Sequence, residues 1–193
     1  SELAGDSTVA IASASLNEGS TRVTTVDGQL LVDESVTVAP GLTETDSTLR
    51  TGPFELVKRG LGTLILDQAN THSGGTVVEA GELVIRNPAA LGTGTLQVAP
   101  GAKVTLDVGT RQVPVSRLEL SPTGMLDLAA GSVLLAPGNY DLAAIRGFIT
   151  GARGSGTWTG PGITSSSIQP GSFREVGYQL LPDGSLKVGY SAV

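Results

Sequence analysis

The chain has 193 residues, 39% of them hydrophobic, 16% charged and 4% aromatic, with 27 glycines and no cysteine. The apolar content is too high for a disordered tail, and the missing cysteine excludes disulfides, thiolate metal sites and a cysteine nucleophile. A formal net charge of −6 argues against a nucleic-acid partner and against adsorption to anionic lipid, and no apolar run reaches the roughly 18 residues of a membrane span.

The glycines punctuate short alternating stretches. Gly-x-Leu-x-(Val/Ile/Leu) occurs at Gly28, Gly62, Gly81, Gly94, Gly124 and Gly184, with variants at Gly101 and Gly131. Each reads as a strand entered through a sharp glycine corner, with the leucine and the residue two later on one face. The spacing is irregular, which excludes a strict hexapeptide or nonapeptide repeat. It suits an all-β, right-handed parallel β-solenoid (β-helix) of six or seven coils with loops of unequal length. A β-sandwich would also show strands at short intervals.

In chain order, the N-terminal stretch alternates and carries turn signals at Asn17-Glu18-Gly19 and Asp27-Gly28. The expected inward residues are Leu30, Val32, Val36, Val38, Leu64, Leu66, Val78, Leu83, Ile85, Leu96, Val98, Val104, Leu106, Leu118, Leu120, Leu126, Leu128, Val133 and Leu135. These would line a narrow aliphatic core over residues 1–138. From 139 to 193 the texture changes. Leu142, Ile145, Phe148 and Ile149 have helical spacing, with Asp141 as N-cap and Gly151 as stop. A glycine-rich loop with Trp158 comes next, then a β-hairpin turning at Pro182-Asp183-Gly184. This short helix, loop and hairpin would form a C-terminal cap.

Residues 56–106 carry a specific pattern: Lys58, Gly60, Gly62-Thr63-Leu64, Leu66, Asn70-Thr71, Gly74-Gly75-Thr76, Val78, Gly81, Leu83 and Ala90-Leu91-Gly92. The segment resembles the autotransporter-associated β-strand repeat of large secreted bacterial surface proteins. It departs with His72 where tyrosine or phenylalanine is usual and Glu82 where threonine is usual. The stretches 143–167 and 176–193 resemble the end segment and last strands found after such repeats in those proteins. The resemblance implies a secreted, extracellular or cell-surface location and a structural role, as a fibre, stalk or matrix segment. An adhesin or carbohydrate-binding module using an outer sheet face is the alternative, and a polysaccharide-active enzyme is the least supported class. No signal peptide is visible, so the chain reads as a mature protein or a segment of a longer one.

Each chemical candidate has a bland counterpart. His72 is the sole histidine, and a set with Asp67 and Ser73 lacks a nucleophile elbow; a corner residue is expected. Asp33-Glu34, Glu44, Asp46 and Asp127 are scattered, and read as solvating charges rather than a hydrolytic pair. "TVDGQ" and "PDGS" read as turns, not calcium loops. Trp158, Tyr140, Phe148, Phe173, Tyr178 and Tyr190 could stack on a sugar, but a core for the cap is the expected role. Asn70 and Asn87 are expected to bond corner backbone. The expectation is therefore no catalytic, cofactor-binding or metal residue, no cofactor, and no nucleic-acid partner. The expected partners are a second copy, through an exposed solenoid end or the alternating Ser7–Leu16 strand, and a cell-surface polysaccharide.

Overall fold

The computed structural model describes residues 22–26, 29–33, 55–58, 61, 63–67, 69–70, 72–154, 156–169 and 174–192. They form three sheets and one helix. The first sheet takes β1 (Arg22–Val26), β2 (Gln29–Asp33), β3 (Glu55–Lys58), β5 (Thr76–Val78), β7 (Thr95–Val98) and β10 (Arg117–Leu120). The second takes β4 (Thr63–Leu66), β6 (Glu82–Ile85), β8 (Lys103–Leu106), β11 (Met125–Asp127) and β13 (Gly162–Thr164), all parallel. The third takes β9 (Gln112–Val115) and β12 (Ser132–Leu135) in parallel, then β15 (Leu186–Ala192) and β14 (Arg174–Leu180) antiparallel.

Successive strands of one sheet lie about one coil apart in sequence. Leu56 stands beside Thr76, and Thr76 beside Leu96. The chain is thus a parallel β-solenoid of about four turns among the described residues, fewer than the six or seven expected.

Register creates interior files of like side chains. Leu64, Leu83, Val104, Leu126 and Ile163 stack in one file of the second sheet, and all five are buried. Ile85 and Leu106 stack in the next file, both at 0% exposure. Burying each such side chain contributes about 1.5–3 kcal/mol, and truncating one, as in Ile85→Ala, costs about 2–5 kcal/mol. Most of the expected inward residues are in this core. Leu66 and Leu118 are only half-buried against it. Leu30 and Val32 lie in β2, whose side chains are outside the described set, as are Val36, Val38, Phe173 and Ser7–Leu16.

Two features depart from expectation. Val113 and Val115 on β9 are buried although no glycine motif announces them. Pro114 between them faces outward, which an edge strand permits. Lys58 occupies an interior position, beside Val78 in register and at 0% exposure. Its stem fills the aliphatic file while Nζ donates to Ala80 O at 3.2 Å, at the corner between β5 and β6. Burial lowers its pKa from the ordinary lysine value.

The C-terminal region is built as one more coil with a substitution. Helix α1 (Leu142–Arg153) comes after β12, where the next strand of the first sheet would come. Then β13 stacks on β11, and the β14–β15 hairpin adds to β12. Asp141 caps the helix, accepting from Ala143 N at 2.8 Å and Ala144 N at 3.2 Å. The expected stop at Gly151 is passed; the helix ends at Gly154, whose φ of 49° takes the chain out of helical space. Ile145, Ala152 and Trp158 are buried there, and Tyr140 O–H donates to Gly184 O at 3.0 Å. At the other end β1 and β2 pair antiparallel.

Candidate functional site

The polar break of the repeat forms the third side of the upper coils. Asn70 and residues 72–75 lie directly on residues 89–94 of the following coil. Asn70 N donates to Ala89 O at 2.9 Å, and Asn70 Nδ2 to Ala90 O at 2.7 Å. Thr93 N donates to His72 O at 3.0 Å. The two backbones approach so closely at Gly94 that a Cβ there would lie 2.3 Å from Gly75 N. At Gly92 a Cβ would lie 2.2 Å from His72 O. The Gly-Gly of one coil and the Leu-Gly-x-Gly of the next are thus two halves of one contact. Asn87 Oδ1 accepts from Ala89 N at 3.0 Å, closing the turn that leads into it.

His72 is inside this contact, with 2% of its surface exposed. Its Nε2 stands 3.0 Å from Thr76 Oγ1, itself fully buried at the start of β5. Burial lowers the imidazole pKa from its ordinary value. Ser73, its neighbour, is exposed. A buried imidazole facing a buried threonine can hold a corner together; it has no route to an external substrate.

A second polar group lies on the outer side of the second sheet. Glu82 on β6 accepts from Thr105 Oγ1 at 2.7 Å and pairs with Lys103 Nζ at 3.0 Å. Burial acts against its charge, but the bonds from Thr105 and Lys103 and the lysine's charge outweigh it and hold the carboxyl below its ordinary value. Lys103 also stands 3.9 Å from Asp127 Oδ2.

Asp127 corrects the reading of a solvating charge. It is 4% exposed, and its Oδ1 accepts from Ala129 N at 2.9 Å and Ser166 N at 2.8 Å. It ties the corner after β11 to the chain leaving β13. Ala129 takes a φ of 45° there, and Ser165 Oγ donates to its carbonyl at 2.5 Å. Thr164 Oγ1 in turn donates to Trp158 O. Glu82 and Asp127 are thus spaced by a lysine and fixed by hydrogen bonds.

Other described candidates fall into structural positions. Asp183 Oδ1 accepts from Ser185 N at 2.9 Å and Ser185 Oγ at 2.6 Å, as a turn residue does. These bonds lower its pKa. Trp158 is 6% exposed, so its ring offers no platform for a sugar. Tyr178 and Tyr190 carry arginines instead: Arg146 lies 5.3 Å from one ring and Arg174 5.0 Å from the other. Asp33, Glu34, Glu44 and Asp46 lie where no side chain is described. Among the described residues no group of three or more His, Asp or Glu is placed to hold a metal ion, and no helix is long and apolar enough to cross a membrane.

Residues 56–85 match the family described as passenger-associated-transport-repeat. The chain is also 32% identical over 122 residues to the adhesin BmaC autotransporter of Brucella suis biovar 1 (strain 1330). That match takes in 60% of this chain and spans 4% of the relative's length. No solved structure matches.

Proposed function

We propose that this chain, which carries an autotransporter passenger repeat, is a non-catalytic rod segment of a secreted or cell-surface bacterial protein. One observation supports the reading above the others: the polar side chains that could do chemistry bond to partners inside the fold, within a coil or between coils. His72 bonds to Thr76 beside the Gly75–Gly94 contact, Asp127 ties β11 to the chain after β13, and Glu82, Lys103 and Thr105 bridge β6 and β8. A fold alone does not assign a function; side-chain geometry does, and here the side chains serve stacking. The test is to expose the purified chain to a panel of polysaccharides and aryl glycosides, and to probe intact cells with a protease that cannot enter. No turnover and surface cleavage are expected. Turnover that vanishes in a folded His72→Phe or Asp127→Asn variant would overturn the non-catalytic reading.

The relative's name supports a second reading, adhesion through an outer face. The outer side of the first sheet presents exposed Gln97, Arg117 and Glu119, a flat polar strip suited to polar ligands. Saturable binding of the purified chain to an immobilised glycan, lost in a Gln97→Ala, Glu119→Ala double variant, would favour adhesion over a purely mechanical role.

A further inference from the structure

Sheets normally protect their last strand with lysine, proline, a bulge or a cover, because its unpaired N–H and C=O groups recruit other chains. At the C-terminal end of this solenoid two of the three sheets are covered. β10 faces α1 across a groove lined by Leu118, Leu120, Ile145 and Phe148, and β13, three residues long, packs under the same helix. The third sheet ends on β14, which pairs only with β15. β14 has seven residues, no lysine and no proline. Among the described residues no backbone hydrogen bond reaches its outer edge. Of the three exposed large hydrophobics among the described residues, two are on it: Tyr178 at 38% and Leu180 at 63%.

We propose that β14 pairs antiparallel with β14 of a second copy, making one continuous sheet across an end-to-end dimer. A two-fold axis through Gly177 uses all seven residues. It sets Gly177 opposite its own copy, Val176 opposite Tyr178, Glu175 opposite Gln179 and Arg174 opposite Leu180. No like charges oppose each other, and the exposed Leu180 lies along the arginine stem. Shifting the centre to Val176 or Tyr178 leaves the last residues of each strand unpaired. The two charges already have partners within their own chain: Arg174 donates to Tyr190 O–H at 2.8 Å and Glu175 pairs with Arg153 at 2.8 Å. Gly177 leaves the centre without side chains, so two strands can meet there closely.

The geometry gives a charge-swap test. A Cβ on Gly177 would meet nothing within 4 Å in its own chain, so Gly177→Glu and Gly177→Lys are expected to fold, as circular dichroism can check. Light scattering of the full chain should give twice the 19.5 kDa chain mass. Each variant alone places like charges face to face on the axis and should raise the dissociation constant at least about tenfold. An equal mixture of the two should restore the dimer. Leu180→Lys, at an exposed position opposite Arg174, should weaken it as well. A wild-type monomer at every concentration overturns the proposal, as do filaments, or a dimer that the Gly177 variants and their mixture leave unchanged. Filaments abolished by deleting Ser1–Leu16 would place association at the other end of the rod instead.

Discussion

Acidification between pH 7.5 and 5.5 should weaken this solenoid through one residue. His72 is the only histidine in the chain, so no other imidazole titrates in that window. Its ring is 2% exposed and faces Thr76 Oγ1 at 3.0 Å. Burial lowers its pKa below the ordinary 6.5. The unfolded chain therefore binds a proton more readily than the folded one. Stability is full above about pH 6.5 and falls as pH drops below it, until the folded-state value is reached. One proton gives a slope of at most about 1.4 kcal/mol per pH unit, so the loss by pH 5.5 is at most about 1.4 kcal/mol. Urea unfolding followed by circular dichroism at pH 7.5, 6.5 and 5.5 measures it as a falling midpoint. His72→Phe, which restores the aromatic usual in the repeat, should flatten the profile over the same range. A wild-type midpoint that is constant or rises toward pH 5.5 would refute the buried, neutral imidazole.

Three further perturbations test the corners. Gly94→Ala puts a Cβ 2.3 Å from Gly75 N, backbone that cannot move aside, and should cost about 3 kcal/mol or abolish folding, seen as a lowered Tm. Asp127→Ala removes the acceptor of Ala129 N and Ser166 N and should cost about 2–3 kcal/mol in urea unfolding, with Asp127→Asn milder. Ala129→Gly relieves a φ of 45° and should stabilise by about 0.5–1 kcal/mol, read as a raised urea midpoint.

Much of the fold is legible because glycine corners and period-two alternation are local signals. β4, β6, β7, β11 and β12 all begin at or just after their glycine motifs. The third sheet is legible in part: the Gly131 motif announces β12 and the Pro182-Asp183-Gly184 turn announces the β14–β15 hairpin, but β9 is missed because it has no glycine entry and carries a proline, although its burial alternates. The strand after Gly184 has the same local pattern as a coil strand, but the Pro182-Asp183-Gly184 turn marks it as the second arm of a hairpin, and it pairs antiparallel as expected, because pairing direction is decided by the turn and not by alternation. Asp127 misleads because its cover is not local. Alternation places it outside, and it is outside, but residues 158–166 return to cover it from 39 positions along the chain at Ser166. Lys58 misleads in the opposite sense: a charged residue stands in an aliphatic file because its ammonium reaches a corner carbonyl. The repeat motif places His72 at a corner, but its burial depends on the next coil.

The end of the rod shows why growth stops in two sheets and not in the third. A helix is about 10 Å across, and strands in a sheet lie about 4.8 Å apart, so α1 takes the height of two strands. The hairpin β14–β15 also rises two strands above β12. The two therefore finish nearly level, with Arg146 donating to Tyr178 O–H at 2.6 Å and Arg153 pairing with Glu175 at 2.8 Å across the join. A helix has no ladder to offer another strand, so the first sheet cannot be extended past it. β13 is short and packed against the helix, and the second sheet also stops there. The hairpin reverses the chain but still ends in a strand, so among the described residues the third sheet ends in a strand edge that no helix faces. A cap that served solely to block association would have turned that edge away with a proline or lysine. Its absence on β14, next to a helix that levels the surface around it, is what the proposed end-to-end pairing requires.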